Sequence, residues 1–208
     1  MSDSFMPDFV PQVPGSRSIA ARALICASLA AGKNTVVNAP VCDDTDAIFD
    51  CMRNLVADVH ISANKAELTS WGNVQPDGKV LDCKASGTTM RFVSALSILT
   101  DKTMVLTGTT RLLERPMSGL NDVLTQVGKT VVERDGRREI SGTPQIPDEL
   151  TVDASTSGQF VSGLMMALGA AGKSTTLIAR NPVSIPFIMM TVSVMRDFGV
   201  GIDVVQGD

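Results

Sequence analysis

Two kinds of apolar pattern alternate along the chain. "SIAARALICASLAAG" from Ser18, "GTTMRFVSALSILT" from Gly87 and "GQFVSGLMMALGAAG" from Gly158 carry Ala, Leu, Met and Ser around most of a helix circumference. A helix that is apolar all round belongs in a core, not on a surface. Each is followed by a short β-branched run, "TVVNAP", "TMVLTG" or "TTLIAR", which has the composition of a strand. An amphipathic stretch comes next, predicting helices over 43 to 55, roughly 116 to 127 and roughly 184 to 198. Asp43 or Asp44, Pro116 and Ser184 suit their starts.

Placing Ser18, Gly87 and Gly158 in register gives a repeat of about 70 residues. Strand-like runs at 58 to 63 and 66 to 71 close the first unit. "TVVERDG" and "REISG" close the second as a hairpin over Asp135-Gly136. The pattern predicts an α/β domain of three β-α-β-α-β-β units, at about 14–85, 86–153 and 154–208, around a pseudo-threefold axis of buried helices. Residues 1–13, with Pro7 and Pro11, read as a leader. The third unit reaches "GIDVVQGD" with only one closing strand, so a chain cut from something longer is expected.

Composition narrows the chemistry. With 44% apolar and 19% charged residues the chain has the makings of a globular core. A net charge of −4 speaks against a broad nucleic-acid surface and leaves room for a small anion in a local pocket. No apolar run approaches the ~20 residues of a membrane span and no signal peptide opens the chain, so a cytoplasmic protein without membrane contact is expected. Cys26, Cys42, Cys51 and Cys83 form no CxxC pair and His60 is the one histidine, which argues for reduced structural thiols and against a zinc site. "GAAGKST" is not a phosphate loop, since Ala167 stands where GxxxxGK[ST] needs glycine and a helix precedes it. "DDTD" at 43 to 46 reads as helix-start capping rather than a metal cluster, His60 as a strand residue, and Met165, Met166, Met189 and Met190 as core.

Charge raises the sharper question. Arg17 and Arg22 lie at the opening of the first buried helix, where the macrodipole makes each cation cost about 0.3–1 kcal/mol. Arg22 and Arg91 hold equivalent positions, four residues after Ser18 and Gly87. "TRLLERP" adds Arg111 and Arg115 at the end of a strand. Backbone N–H groups at "PGSRS", "ASGTTMR" and "STSGQ" would make anion sites beside these cations. Removing Arg22 is then expected to weaken ligand binding and slightly stabilise the empty domain.

"PGSRSIAARAL", "DDT", "SGTTMR", "TGTTRLLERPM", "STSGQF" and "PVSIPFI" resemble, in order and spacing, the motifs of the enolpyruvyl transferases, specifically the branch whose acceptor is shikimate-3-phosphate. The resemblance covers residues 13 to 206. It implies a half of the family's two-domain fold and transfer of the enolpyruvyl group of phosphoenolpyruvate to an acceptor hydroxyl, through a tetrahedral intermediate, with loss of phosphate and without metal or organic cofactor. By motif, Arg17, Gly87, Arg111 and Gln159 match residues lining the phosphoenolpyruvate site. Ser18, Arg22, Ser157, Gln159 and Ser184 match acceptor binders, the two serines Ser157 and Ser184 holding its phosphate.

The departures are specific. Arg17 replaces a lysine, Ala85 an asparagine, Gly158 a serine, Ile185 a lysine and Phe187 a tyrosine. An arginine fork is not equivalent to an ammonium at a tight anion site. Lost hydroxyls on the acceptor side leave open another phosphorylated acceptor, such as a nucleotide, or a non-catalytic anion-binding module. The architecture of RNA 3′-phosphate cyclases shares such repeats, but His60 is poorly placed to be their nucleotide-linking histidine. The resemblance also implies a second domain carrying the catalytic acid and base, which makes that domain the expected partner.

Overall fold

The computed structural model describes residues 14–62 and 65–205. Seven α-helices and nine strands are found among the described residues, in the predicted order except at α4 and after α7. The first unit holds α1 (Arg17–Leu29), β1 (Gly32–Val37), α2 (Asp43–Leu55), β2 (Ala57–Ser62) and β3 (Lys65–Ser70). The second holds β4 (Val80–Asp82), α3 (Gly87–Leu96), a 3-10 turn at Ser97–Leu99, β5 (Met104–Thr107), α4 (Thr110–Leu113), α5 (Ser118–Gln126), β6 (Thr130–Arg134) and β7 (Arg137–Ser141). The third holds β8 (Glu149–Asp153), α6 (Gly158–Ala170), β9 (Thr176–Arg180) and α7 (Ile185–Asp197).

The second unit shows the sheet in full, in the order β4-β5-β7-β6. β4 runs parallel to β5, and the other pairs are antiparallel. β6 and β7 turn over Asp135 and Gly136, both at positive φ (51° and 69°), as an Asp-Gly hairpin requires. The first unit pairs β1-β3-β2 antiparallel, and the third pairs β8 with β9 in parallel.

The three apolar helices α1, α3 and α6 touch one another pairwise and fill the centre. Leu24, Ile25, Phe92, Leu96, Phe160 and Leu164 are fully buried on them. Each such side chain contributes about 1.5–3 kcal/mol of hydrophobic stabilisation. α3 and α6 approach closely at Gly163, where a Cβ would stand 3.2 Å from that of Ala95 and 3.3 Å from the Arg91 carbonyl oxygen.

Four local expectations are corrected. α2 is capped by Cys42 and Thr45, the Thr45 hydroxyl accepting from the Cys42 N–H at 3.1 Å, while Asp43, Asp44 and Asp46 occupy the first turn. Pro116 does not start a helix: the four-residue α4 intervenes and α5 begins at Ser118. Residues 201–205 form no strand, and among the described residues β9 pairs with β8 alone. Met189 is exposed, whereas Met166 is buried and Met165 and Met190 are half-buried. The leader at 1–13 lies outside the described residues. No described helix is long and apolar enough to cross a membrane.

Candidate functional site

The openings of the three central helices are built alike. Ser16, Ser86 and Ser157 stand at the caps, accepting from the N–H groups of Ile19 at 3.4 Å, Thr89 at 3.2 Å and Gln159 at 3.2 Å. Each cap satisfies one of the four N–H groups that a helix start leaves without a partner. Ser184, ahead of α7, sits in the left-handed region at φ 59° and makes no capping bond with its side chain. Its exposed hydroxyl is therefore uncommitted to the helix.

Arg22 is buried and joins α1 to α6 and α7. Its Nε donates to Thr191 Oγ1 at 2.6 Å, Nη1 to the Ser18 carbonyl at 2.8 Å, and Nη2 to Ser162 Oγ at 3.2 Å and the Phe187 carbonyl at 3.1 Å. The guanidinium lies 5.4 Å from the centre of the Phe92 ring. Four of its five N–H donors are thus committed, and the fifth, on Nη1, lies beside Ser18. Burial lowers its pKa to about 10. Removing this side chain would take a donor from the buried Thr191 and Ser162 hydroxyls and from the Ser18 and Phe187 carbonyls, so the hydrogen bonds argue for a loss of stability rather than the small gain.

Arg91, at the equivalent position of α3, is placed differently. Its Nη1 donates to Gln159 Oε1 at 2.6 Å, and Gln159 Nε2 in turn donates to Thr88 Oγ1 at 2.8 Å. The guanidinium faces Phe160 at 5.6 Å, but its buried Nε has no partner. Gly87 explains why the site can form. A Cβ there would lie 2.5 Å from Arg115 Nη1 and 3.2 Å from Arg91 Nη1, so only glycine leaves room for both guanidiniums. These nitrogens are no more than about 6 Å apart, where two unit charges repel by about 3 kcal/mol at an effective dielectric of 20. Burial, and then Arg115, push the Arg91 pKa down. Among the described residues no carboxylate lies within ion-pair distance of either.

Other expected site residues are distributed around these two clusters. Arg17 is exposed and pairs with Asp44 at 3.4 Å. A cavity of about 330 Å³ opens there, lined by Arg17, Cys42, Asp43, Asp44, Ala85 and Ser86. Arg111 is exposed at the start of α4 with no side-chain hydrogen bond or ion pair among the described residues. Gly158 packs against α7's entry, where a Cβ would meet the Val183 carbonyl oxygen at 2.5 Å. The structure thus joins Ser18 and Arg22 to α6 and α7, and Gly87 to Gln159 through Arg91, while Arg17 and Arg111 stand apart from both networks.

A larger cavity of about 400 Å³ lies at the opposite ends of the central helices, against Leu29, Thr100 and Ala170. The clustered cations lie at the other end. Among the described residues no group of three or more His, Cys, Asp or Glu could hold a metal. Sequence reasoning missed the supporting shell: Thr191, Ser162 and Phe92 around Arg22, and Arg115 against Gly87. Only the Arg-rich "TRLLERP" run hinted at the last.

The family model described as EPSP synthase (3-phosphoshikimate 1-carboxyvinyltransferase) matches residues 10–208. A 3-phosphoshikimate 1-carboxyvinyltransferase of Thermococcus kodakarensis is 37% identical over 187 residues, covering 90% of this chain and 45% of the relative. One from Photobacterium damsela subsp. piscicida is 32% identical over 200 residues, covering 92% and 47%. The chain therefore spans about half the length of the curated relatives it matches. Among solved structures, EPSP synthase from Acinetobacter baumannii superposes with a TM-score of 0.80 at 22% identity, covering 94% of this chain and 44% of that one. The enolpyruvyl transferase NikO from Streptomyces tendae superposes with a TM-score of 0.66 at 16% identity, covering 93% and 45%. These likenesses show the fold, half of the enolpyruvyl transferase architecture, and the sequence matches show the lineage: the chain belongs to the EPSP synthase (3-phosphoshikimate 1-carboxyvinyltransferase) family.

Proposed function

We propose that this chain supplies one half of a site that transfers the enolpyruvyl group of phosphoenolpyruvate to a hydroxyl of shikimate-3-phosphate, in the biosynthesis of aromatic amino acids. The observation that carries the reading is the set of cations without carboxylates at the opening of α3, joined through Gln159 to α6. Such a site is electrostatically incomplete until an anion enters it.

Arg17, Gly87, Arg111 and Gln159 form the phosphoenolpyruvate side, and Ser18, Arg22, Ser157, Gln159 and Ser184 the acceptor side. Adding the acceptor hydroxyl to the enol carbon while a proton reaches the methylene carbon gives a tetrahedral intermediate. Loss of phosphate and of a proton then restores the double bond. Both steps move charge on the phosphoryl and carboxylate groups, so prepositioned cations and N–H donors lower the barrier. The proton transfers fall to a complementary half, without which the chain is inactive.

The test is phosphate release when this chain is mixed with phosphoenolpyruvate, shikimate-3-phosphate and a complementary half from a family relative. Turnover from the mixture and none from either half is expected. Silence from an assembled complex would overturn the reading.

A second reading concerns the acceptor. Ile185 and Phe187 are 48% and 46% exposed beside Ser184 and form an apolar lip. That lip favours an acceptor with a larger flat face to cover it than shikimate-3-phosphate has, such as the base of a nucleotide. A nucleotide acceptor in the same assay distinguishes the two.

A further inference from the structure

We propose that Arg115 is a direct ligand for the phosphoryl group of phosphoenolpyruvate, and that Arg91 is the positioning residue that holds the Gln159 amide and the local charge in place. The inference rests on the donor assignment above and adds two residues to it.

The first ground is steric. Arg115 Nη1 occupies the space that the missing Cβ of Gly87 leaves open, with Arg91 Nη1 on the other side of the same point. The second is electrostatic. Arg17, Arg53, Arg134 and Arg138 each have a carboxylate partner. Arg22 has none, but its hydrogen bonds nearly saturate it. Arg91 and Arg115 have neither remedy, and their guanidiniums lie side by side at Gly87.

The third ground is mechanical. Arg91 is pinned by Gln159 on one side and the Phe160 ring on the other. Arg115 is exposed, and among the described residues its side chain has no hydrogen-bond partner. A fixed cation behind a free one suits a ligand that must enter and leave. Arg115 as the ligand with the Arg91 charge fixed behind it gives a local field that favours a dianion over a monoanion, which selects the phosphoryl group over the carboxylate. The Arg91 bond to Gln159 Oε1 also fixes the amide orientation, turning Nε2 toward Thr88 and leaving its second N–H for the ligand.

Calorimetric titration of the chain with phosphoenolpyruvate, inorganic phosphate and pyruvate, together with thermal unfolding of the empty protein, tests this. Arg115→Ala should weaken phosphoenolpyruvate and phosphate binding by ~10-fold or more, as expected for loss of a charge-assisted contact, and leave pyruvate unaffected. It should also raise Tm, because a like charge is removed from beside Arg91. Arg91→Lys keeps the charge but loses the Gln159 contact. It should weaken phosphoenolpyruvate binding, and Gln159→Ala should add little further loss in that background. Arg111→Ala serves as the comparison for the donor assignment itself.

Unchanged affinity in Arg115→Ala with intact wild-type binding would overturn the inference and leave the donor assignment standing. A fall in Tm would also overturn it, since that marks a structural arginine. Wild-type protein that binds phosphate but not phosphoenolpyruvate would instead overturn the donor assignment, with the phosphate series still deciding Arg115. Binding of neither would overturn both.

Discussion

Arg22 and Arg91 stand at the same position of equivalent helices, four residues after Ser18 and Gly87, and the protein uses them differently. Arg22 is sealed under α7 with hydroxyls and carbonyls on four of its donors, and Arg91 is half-buried with one hydrogen bond, an orphan Nε and a second arginine beside it. The third helix carries Ser162 at this position, and that hydroxyl accepts from Arg22. Neither arginine has a carboxylate partner among the described residues, so the lack of an ion pair does not separate a structural cation from a ligand-seeking one. Donor saturation separates the two: four of Arg22's five donors are spent on anchoring it, leaving one for an acceptor, whereas Arg91 spends one.

The strongest way to break this comparison is to remove Arg22. Arg22→Ala should lower the unfolding free energy by about 2–4 kcal/mol, since two buried hydroxyls and two partly buried carbonyls lose their donor. Urea denaturation reads this directly. A gain in stability would show that the helix dipole outweighs the hydrogen bonds.

Two glycines come next. Gly158→Ser restores the residue expected from the family motif, but its Cβ would meet the rigid Val183 carbonyl at 2.5 Å. A loss of about 1–3 kcal/mol is expected in the same denaturation experiment. Gly87→Ala meets the mobile end of Arg115 instead. Its stability should change by less than ~0.5 kcal/mol, while calorimetry should show phosphoenolpyruvate affinity falling about tenfold as the arginine is displaced. Equal stability losses at the two glycines would contradict the assignment of Arg115 as movable.

Gln159→Glu sharpens the contrast more gently. A carboxylate against Arg91 Nη1 would neutralise the pair internally, raising Tm by a few degrees for a gain of about 0.5–1 kcal/mol and weakening phosphate binding. Arg17→Lys should have the smallest effect on stability, under ~0.5 kcal/mol, because its ion pair with Asp44 is exposed. Its effect belongs in turnover by the assembled halves, where an ammonium should raise phosphate release.

The central helices were legible because a segment that is apolar all round has only one favourable place in a fold. The Asp-Gly hairpin was legible because both residues tolerate positive φ. Strands β4 and β8 were less so: "VLD" is too short to show alternation, and parallel pairing with β5 and β9 leaves no turn signal. The cap of α2 was hidden because aspartates crowd the position that Cys42 and Thr45 share. At the site, sequence spacing located Arg22 and Arg91 but could not rank them. Arg22's partner Thr191 lies 169 residues away, and Gly87's meaning depends on Arg115 reaching it from α4's end. No local window contains either fact.

Arginine side-chain NMR during titration with phosphoenolpyruvate follows each guanidinium separately. If donor saturation decides which arginines meet the donor substrate, the Nε–H resonances of Arg91, Arg111 and Arg115 shift and saturate together while that of Arg22 stays fixed. Movement of Arg22 with Arg91 and Arg115 unperturbed would contradict it.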